Sequence, residues 1–372
     1  MSTQENKNNL KTTAKKQLKK SSVTTKAKTG IKINGTLLKV ITFLTAIFLI
    51  ISSYAWFSTS LNVQIKFFDL VVSSDSGLFI SIDGVNFSES IEVSVDSVIR
   101  DLVRLYPNHT NQWSVGGMWP VSSNGIRNSN SDRFDIFIGE IKRPKGRIQE
   151  GEIRYLNTNR YVEDRASLSN VYVAFDIFLK NVSGSPYSDN LYFNDDTYID
   201  FDGEVSDETK ESMSGIMNSL RMGLIKIGSV SLNADVNTIQ NIRCNNNCEM
   251  TIFEPNKTSH SELSIENASD LGINLVDGVY TPTYAVINPG TRLEHMSGHA
   301  GIPLNTNNFA LQRTISEADF NSPIFSIPNG ITKLRVYVWI EGQDVDSLET
   351  HSVGAPIFIA IGLEKDLAGY EE

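Results

Sequence analysis

Two cysteines, Cys244 and Cys248, stand close together in RCNNNCEM and are the only two in the chain. A pair of thiols can bind metal, do redox chemistry or close a disulfide. Two thiols without a neighbouring His or Cys are too few for zinc, which takes four ligands or three and a water. The spacing also differs from the Cys-x-x-Cys of redox sites. The preferred reading is a local disulfide at a hairpin tip, as expected outside a reducing cytosol. His295 and His299 sit at i, i+4 in RLEHMSGHAG. On a helix that spacing can place two imidazoles on one metal. Here Gly298 and Gly301 weaken any helix, and Met296 stands where a metalloprotease would carry its general-base Glu. A loop is the better reading.

Acids gather twice, as Asp195, Asp196, Asp200, Asp202 and Glu204, and as Glu341, Asp344, Asp346 and Glu349. Loop carboxylates are the usual ligands of calcium, and Asp200, Asp202, Asp344 and Asp346 are the candidates for it. Neither group follows the EF-hand order, so solvated loops and no cofactor are the preferred reading. Trp113 and Trp119 flank SVGGM in a glycine-bearing stretch. Exposed there, they could contact a glycan or anchor a partner; buried, they would pack a sandwich core. The chain has no G-x-S-x-G elbow, P-loop, dinucleotide fingerprint or H-E-x-x-H, so no catalytic residues are assigned and a non-enzymatic role is expected.

The elements that must carry these residues read as β. LFISIDG (78–84), IEVSV (91–95), FDIFIGEI (134–141), VYVAFDIFLK (171–180), LRVYVWIEG (334–342) and PIFIAIGLE (356–364) are β-branched and aromatic, several with a period of two. Asp83-Gly84 is a tight-turn signal. Asn, Ser, Gly and Asp fill the stretches between, as turns require. Many short strands separated by turn clusters indicate an antiparallel β-sandwich or jelly roll. One short helix is expected within it. Ser206 is its N-cap, and Met213, Ile216, Met217 and Leu220 recur at helical spacing before a strand over 222–230. The Asn/Ser/Arg-rich stretch 122–133 is the best internal break, and Thr251–Asp270 reads as a long polar surface loop or a short insertion.

The chain is 372 residues, 40% hydrophobic and 20% charged, which excludes a collagen-like repeat, a multi-span membrane protein and a wholly disordered chain. Its net charge of −10 joins two opposed parts. Residues 1–39 hold ten lysines and one acid, so the +9 of this tail leaves −19 for the rest. At the join, Val40–Ile51 reads VITFLTAIFLII, and no charge follows until Lys66. Residues 37–57 are therefore a signal peptide or a short transmembrane signal-anchor helix, with Tyr54, Trp56 and Phe57 at the outer interface. Lysines are retained on the cytoplasmic side, so residues 1–36 form a basic, disordered inner tail and 58–372 an exported β-domain. The tail suits anionic lipid headgroups better than nucleic acid. Ser53 and Ala55 have the small-x-small spacing that a signal peptidase accepts, which would leave Trp56 first.

The stretch LLKVITFLTAIFLIISSYAWFSTS, followed by FDLVVSS, resembles the start of the camelysin/TasA-like surface proteins of Gram-positive bacteria. Tyr54, Ala55, Trp56, Phe57 and Ser58 stand in the family's motif, and Asp69-Leu70 in the first strand. The resemblance covers only this N-terminal region. It implies export, processing by a dedicated signal peptidase, a jelly-roll-like sandwich and self-association into surface or biofilm-matrix fibres. The expected product is a cell-membrane or extracellular structural protein that assembles through an edge strand within residues 56–72. The alternative is a membrane-anchored ectodomain binding a ligand or glycan.

Overall fold

The computed structural model describes residues 70–366 except 75–76, 116, 129–132, 143–153, 162, 164, 202–205, 207–213, 245–247, 256–259, 261–264, 266–282, 287–290, 294–308, 312–313, 343, 345 and 348–356. The expected membrane or signal segment 37–57, the expected cleavage residues Ser53, Ala55 and Trp56, and His295 and His299 lie outside the described residues. Among the described residues no helix is long and apolar enough to cross a membrane. All of them belong to one compact unit, Leu49–Glu372.

In chain order the strands begin with β1 (Leu70–Ser74), β2 (Leu78–Ser81) and β3 (Ser90–Val93). A π-helical turn (Asp96–Asp101) runs into α1 (Leu102–Leu105). Then follow β4 (Gln112–Trp113), β5 (Ser122–Asn128), β6 (Arg133–Lys142), β7 (Arg154–Arg160), β8 (Ser167–Leu168) and β9 (Val173–Asn181). Next are β10 (Asp189–Phe193), β11 (Tyr198–Phe201), α2 (Ser214–Ser219), β12 (Leu220–Val230), α3 (Val236–Gln240) and β13 (Met250–Phe253). The order ends with β14 (Thr283–Val286), β15 (Thr291–Leu293), β16 (Phe309–Leu311), a 3-10 turn (Glu317–Asp319), β17 (Phe325–Ile327), β18 (Gly330–Ile340) and β19 (Ile357–Asp366).

The chain is mainly β, as its alternation and β-branched content require. One sheet runs β17-β10-β19-β1-β3, with β11 also on β19. A second runs β13-β12-β18-β9-β4-β8, with β2 also on β9. A third runs β15-β7-β6-β5, and β14 pairs with β16. Pairing is antiparallel except for β1 with β19 and β4 with β8.

The second sheet is the middle layer. Val173, Phe175, Ile177, Leu334, Val336 and Val338 alternate onto one face and join Leu191, Phe193, Ile359 and Ile361 of the first sheet in one core. Ala174, Ile225, Tyr337 and Trp339 face the other way, onto Phe134 and Ile136 of β6. A strand buried on both faces needs apolar residues at almost every position. VYVAFDIFLK and LRVYVWI have that composition, and every residue of β18 is buried. Burial of each such side chain contributes about 1.5–3 kcal/mol. The turn after β2 follows the Asp83-Gly84 signal. Gly84 has φ +75°, and Asp83 Oδ1 accepts from the backbone N–H groups of Val85 (2.7 Å) and Asn86 (2.9 Å).

Four expectations change. Of the expected helix, the described helical part is Ser214–Ser219; Leu220 opens β12, where it lies opposite Ile340. Ladder pairing with β18 outweighs the 3.6 spacing of this residue. Ser122–Asn128, within the expected break, is a strand paired with β6, and Thr251–Phe253, within the expected loop, pairs with Met222–Leu224 of β12. Backbone pairing recruits polar segments that periodicity passes over. The expected N-terminal edge strand also changes. β1 lies between β19 and β3, so residues 70–72 are bonded on both sides, and residues 56–69 lie outside the described residues.

Candidate functional site

The middle sheet's second face is interrupted by charge. Asp176 of β9 lies directly opposite Arg335 of β18. Asp176, Arg335 and Lys333 sit among aromatic rings and are all buried. Burying one ion costs several kcal/mol unless partners surround it, and here they do. Arg335 Nη1 donates to Asp176 Oδ1 at 3.0 Å. Lys333 Nζ lies 3.2 Å from Asp176 Oδ2, and the Tyr106 hydroxyl donates to that oxygen at 3.1 Å. Lys333 also donates to the Tyr106 oxygen and, at 3.1 Å, to the Gln240 carbonyl of α3. Arg335 Nε donates to the Tyr337 hydroxyl at 3.0 Å. Glu163 receives Arg335, Arg133 of β6 at 2.9 Å and the Tyr172 hydroxyl at 2.7 Å. The network thus ties the middle sheet to β6, to the loop before β8, to Tyr106 just after α1 and to α3.

Burial pushes the Asp176 carboxyl up, but Lys333, Arg335 and Arg133 outweigh it and hold the group ionised far below the ordinary range. Burial lowers Lys333, against the pull of Asp176. His109, 3% exposed, lies beside this network, and burial brings its pKa down to about 4. Tyr106, His109, Arg133, Asp176, Lys333 and the rim residue Arg243 line a polar cavity of about 60 Å³.

A second buried network lies on the same sheet. Arg221 of β12 bonds to Glu254 at 2.7 Å and to Asp344. Its Nη1 donates to the Asn218 carbonyl at 2.7 Å, and Thr314 donates to Glu254 at 2.6 Å. His260 Nδ1 lies 2.8 Å from Asp346 Oδ2, and the Asp346 backbone N–H donates to Asp344 Oδ1 at 2.9 Å. Burial pushes Asp344 up to about 6; Arg221 opposes this, while Asp346 and Glu254 reinforce it. Burial works against the charged form of His260, but its hydrogen bond to Asp346 and the nearby carboxylates raise the pKa.

His260, Asp344 and Asp346 place ligand-type atoms within 4.8 Å of one another. One imidazole and two carboxylates are a poor match for calcium, which takes six to eight oxygens. Arg221 already supplies Asp344 with a cation, and the bond between His260 and Asp346 occupies both groups. Two of the four calcium candidates, Asp344 and Asp346, are thus brought together, as ion-pair partners. Asp200 is exposed on β11, where Oδ1 accepts from the Phe201 N–H at 2.7 Å, and Asp202 lies outside the described residues. Trp113 is 4% exposed and packs on Phe175 at 6.4 Å, so it offers no surface to a ligand and the contact expected there is withdrawn. Trp119 is 38% exposed. Cys244 and Cys248 are joined in a disulfide, with Cα atoms 5.9 Å apart.

Sequence reasoning passed over Tyr106, His109, Asp176, Lys333 and Arg335, and in the second network Arg221, Glu254 and His260. A signal was present: Asp in VAFDIFL, Lys and Arg in ITKLRVYVWI, and Arg in LRMGLIKI interrupt apolar strands. Comparisons with protein-family models, with curated proteins and with solved structures return no match for this chain.

Proposed function

We propose that the chain is an exported, non-enzymatic structural protein of the cell surface or extracellular matrix. The N-terminal segment 37–57 holds it at the membrane as a helix or is removed by a signal peptidase. The proposal includes the jelly-roll-like arrangement and the kinship with camelysin/TasA-like proteins that the N-terminal residues suggest. The observation that carries it is how buried charge is used. Asp176, Glu163, Lys333 and Arg335 contact one another and join separate parts of the fold. Arg221, Glu254 and Asp344 do the same in the second network. Groups bound as struts suit a stiff scaffold, whereas a catalytic acid or base needs an open path to substrate. Self-association through an added strand would use main-chain bonds at a sheet edge. β3 and β17 are the outermost strands of the first sheet among the described residues.

The test is to express the full chain in a Gram-positive host. Intact mass, N-terminal sequencing and protease shaving of whole cells then report on export. Cell-surface protein, beginning at Met1 or at Trp56, supports the proposal; an intact chain confined to the cytosol overturns it. One observation favours a second reading, a ligand- or glycan-binding ectodomain: Trp119 presents part of its ring to solvent. Under that reading Trp119→Ala removes adhesion to the cell wall or host glycans and leaves the melting temperature unchanged.

A further inference from the structure

Three features of the cavity beside Lys333 agree on the chemistry of an occupant. The first is a donor without an acceptor. The Asn111 backbone N–H donates to His109 Nδ1 at 3.3 Å, so Nδ1 carries the lone pair and Nε2 carries the hydrogen. That Nε2 is buried and has no hydrogen-bond partner. Buried donors are almost always satisfied, so an orphan on a cavity wall points to what fills the cavity.

The second is the balance of charge. In the bonded network Arg133, Lys333 and Arg335 face Asp176 and Glu163, three positive groups against two negative. Arg243 at the rim adds another positive group, in a body that is otherwise strongly acidic. Both Asp176 oxygens are engaged by the bases and by Tyr106, which excludes a cation as the missing ion. The third is size. At about 60 Å³ the cavity admits roughly four to six water-sized groups. That is the scale of a carboxylate, sulfate or phosphate group and well below that of a sugar ring with its hydroxyls.

We propose that this cavity binds a small oxoanion, whose oxygens accept from His109 Nε2–H and pair with the guanidinium groups of Arg133 and Arg243. The ion is either free or the pendant acidic group of a longer polymer entering past Arg243. Burial keeps His109 neutral at pH 7, so the ring serves as a fixed dipolar donor while the arginines supply charge. An anion there would also offset the two arginines, Arg335 and Arg133, that add to burial in disfavouring protonated Lys333. The inference does not depend on the export reading, because it uses only the described β-body.

The test uses the full chain in zwitterionic detergent with ¹⁵N-labelled histidine. Phosphate, sulfate, acetate and a soluble poly(glycerol phosphate) are titrated at pH 7 against chloride at constant ionic strength. Saturable heat with a shift of the His109 Nε2 resonance supports the proposal. A response to the free ions assigns a free oxoanion, and a response to the polymer alone assigns a pendant group. Arg243→Gln, at an exposed position, should fold normally and weaken binding at least about tenfold, as loss of a charge-assisted bond does. His109→Asn should abolish saturation; its melting curve is measured alongside. Absence of saturation with every probe, a chloride response equal to the others, or unchanged affinity in Arg243→Gln would each overturn the proposal.

Discussion

Asp176→Asn tests the central network most directly. The substitution keeps the shape and one acceptor oxygen but removes the carboxylate that, among the described residues, bridges both Lys333 and Arg335, at 3.2 Å and 3.0 Å. Asp176 is 2% exposed, so solvent cannot take its place. Removing one partner of a buried ion pair leaves an uncompensated charge and costs about 3–5 kcal/mol. For a domain of this size that is a fall of roughly 10 °C in melting temperature. The assay is urea and thermal unfolding of wild type, Asp176→Asn, Lys333→Met and the double variant. The coupling energy in this cycle should lie in the range of about 0.5–3 kcal/mol, with the double variant milder than the two single losses combined.

The pH dependence has a definite sign. Asp176 is held below its ordinary pKa in the folded state. The unfolded chain therefore binds the proton first as pH falls. The stabilisation is complete above about pH 3.9 and disappears as pH drops from there toward the folded value. The difference between wild type and Asp176→Asn should be constant from neutral pH to about 5 and narrow below about 4. A cost under about 1 kcal/mol, or a gap that stays constant into acid, would refute the reading of Asp176 as a buried strut.

The second network should show the opposite sign. Asp344 titrates near 6, so wild type should lose stability as pH rises from about 4 to 6, and Asp344→Asn should flatten that part of a pH–stability curve. His260 is raised, so its contribution is present below about pH 6.5 and lost as pH rises through the folded value, a trend that His260→Gln should remove. A Cβ at Gly223 would sit 2.7 Å from Phe134 Cε2, so Gly223→Ala should cost about 1–3 kcal/mol in urea unfolding. Gly223→Ala with Phe134→Leu should recover part of it. Thiol labelling without reductant should find no free cysteine, and Cys244→Ser with Cys248→Ser should cost at most about 2 kcal/mol, because so short a loop restricts the unfolded chain little.

The strands were legible because their periodicity and β-branched content report directly on a pleated, buried surface. LFIS, SIEV, RFDIFIGEIK, VAFDIFLKN, GITKLRVYVWI and IFIAIGLEKD all fall where the apolar runs place them. The layer count was not legible, although its trace was there. A sandwich of two sheets lets each strand alternate apolar and polar, but LRVYVWI is apolar at nearly every position because a third sheet covers its outer face. β5, SSNGIRN, carries little side-chain signal, since its place is set by main-chain pairing with β6.

The site residues were hidden for a related reason. A charge within an apolar strand is compatible with the solvent face of a two-layer sheet, so nothing local marks Asp176, Lys333 and Arg335 as interior positions. With a third layer present, the same positions are interior, and each charge must find an opposite charge or a hydrogen-bond partner there. Asp176 finds its partners one strand away on β18, and Glu163 reaches Arg335 from outside the sheet. Such pairing is long-range and leaves no local spacing to detect. The two observations constrain each other: doubly apolar runs imply a covered sheet, and a covered sheet turns every charge within them into a member of a buried network. His109 belongs to that interior too, and its unmatched Nε2–H, like Arg133 Nε, marks a place where the side chains of the first network do not complete the hydrogen bonding themselves.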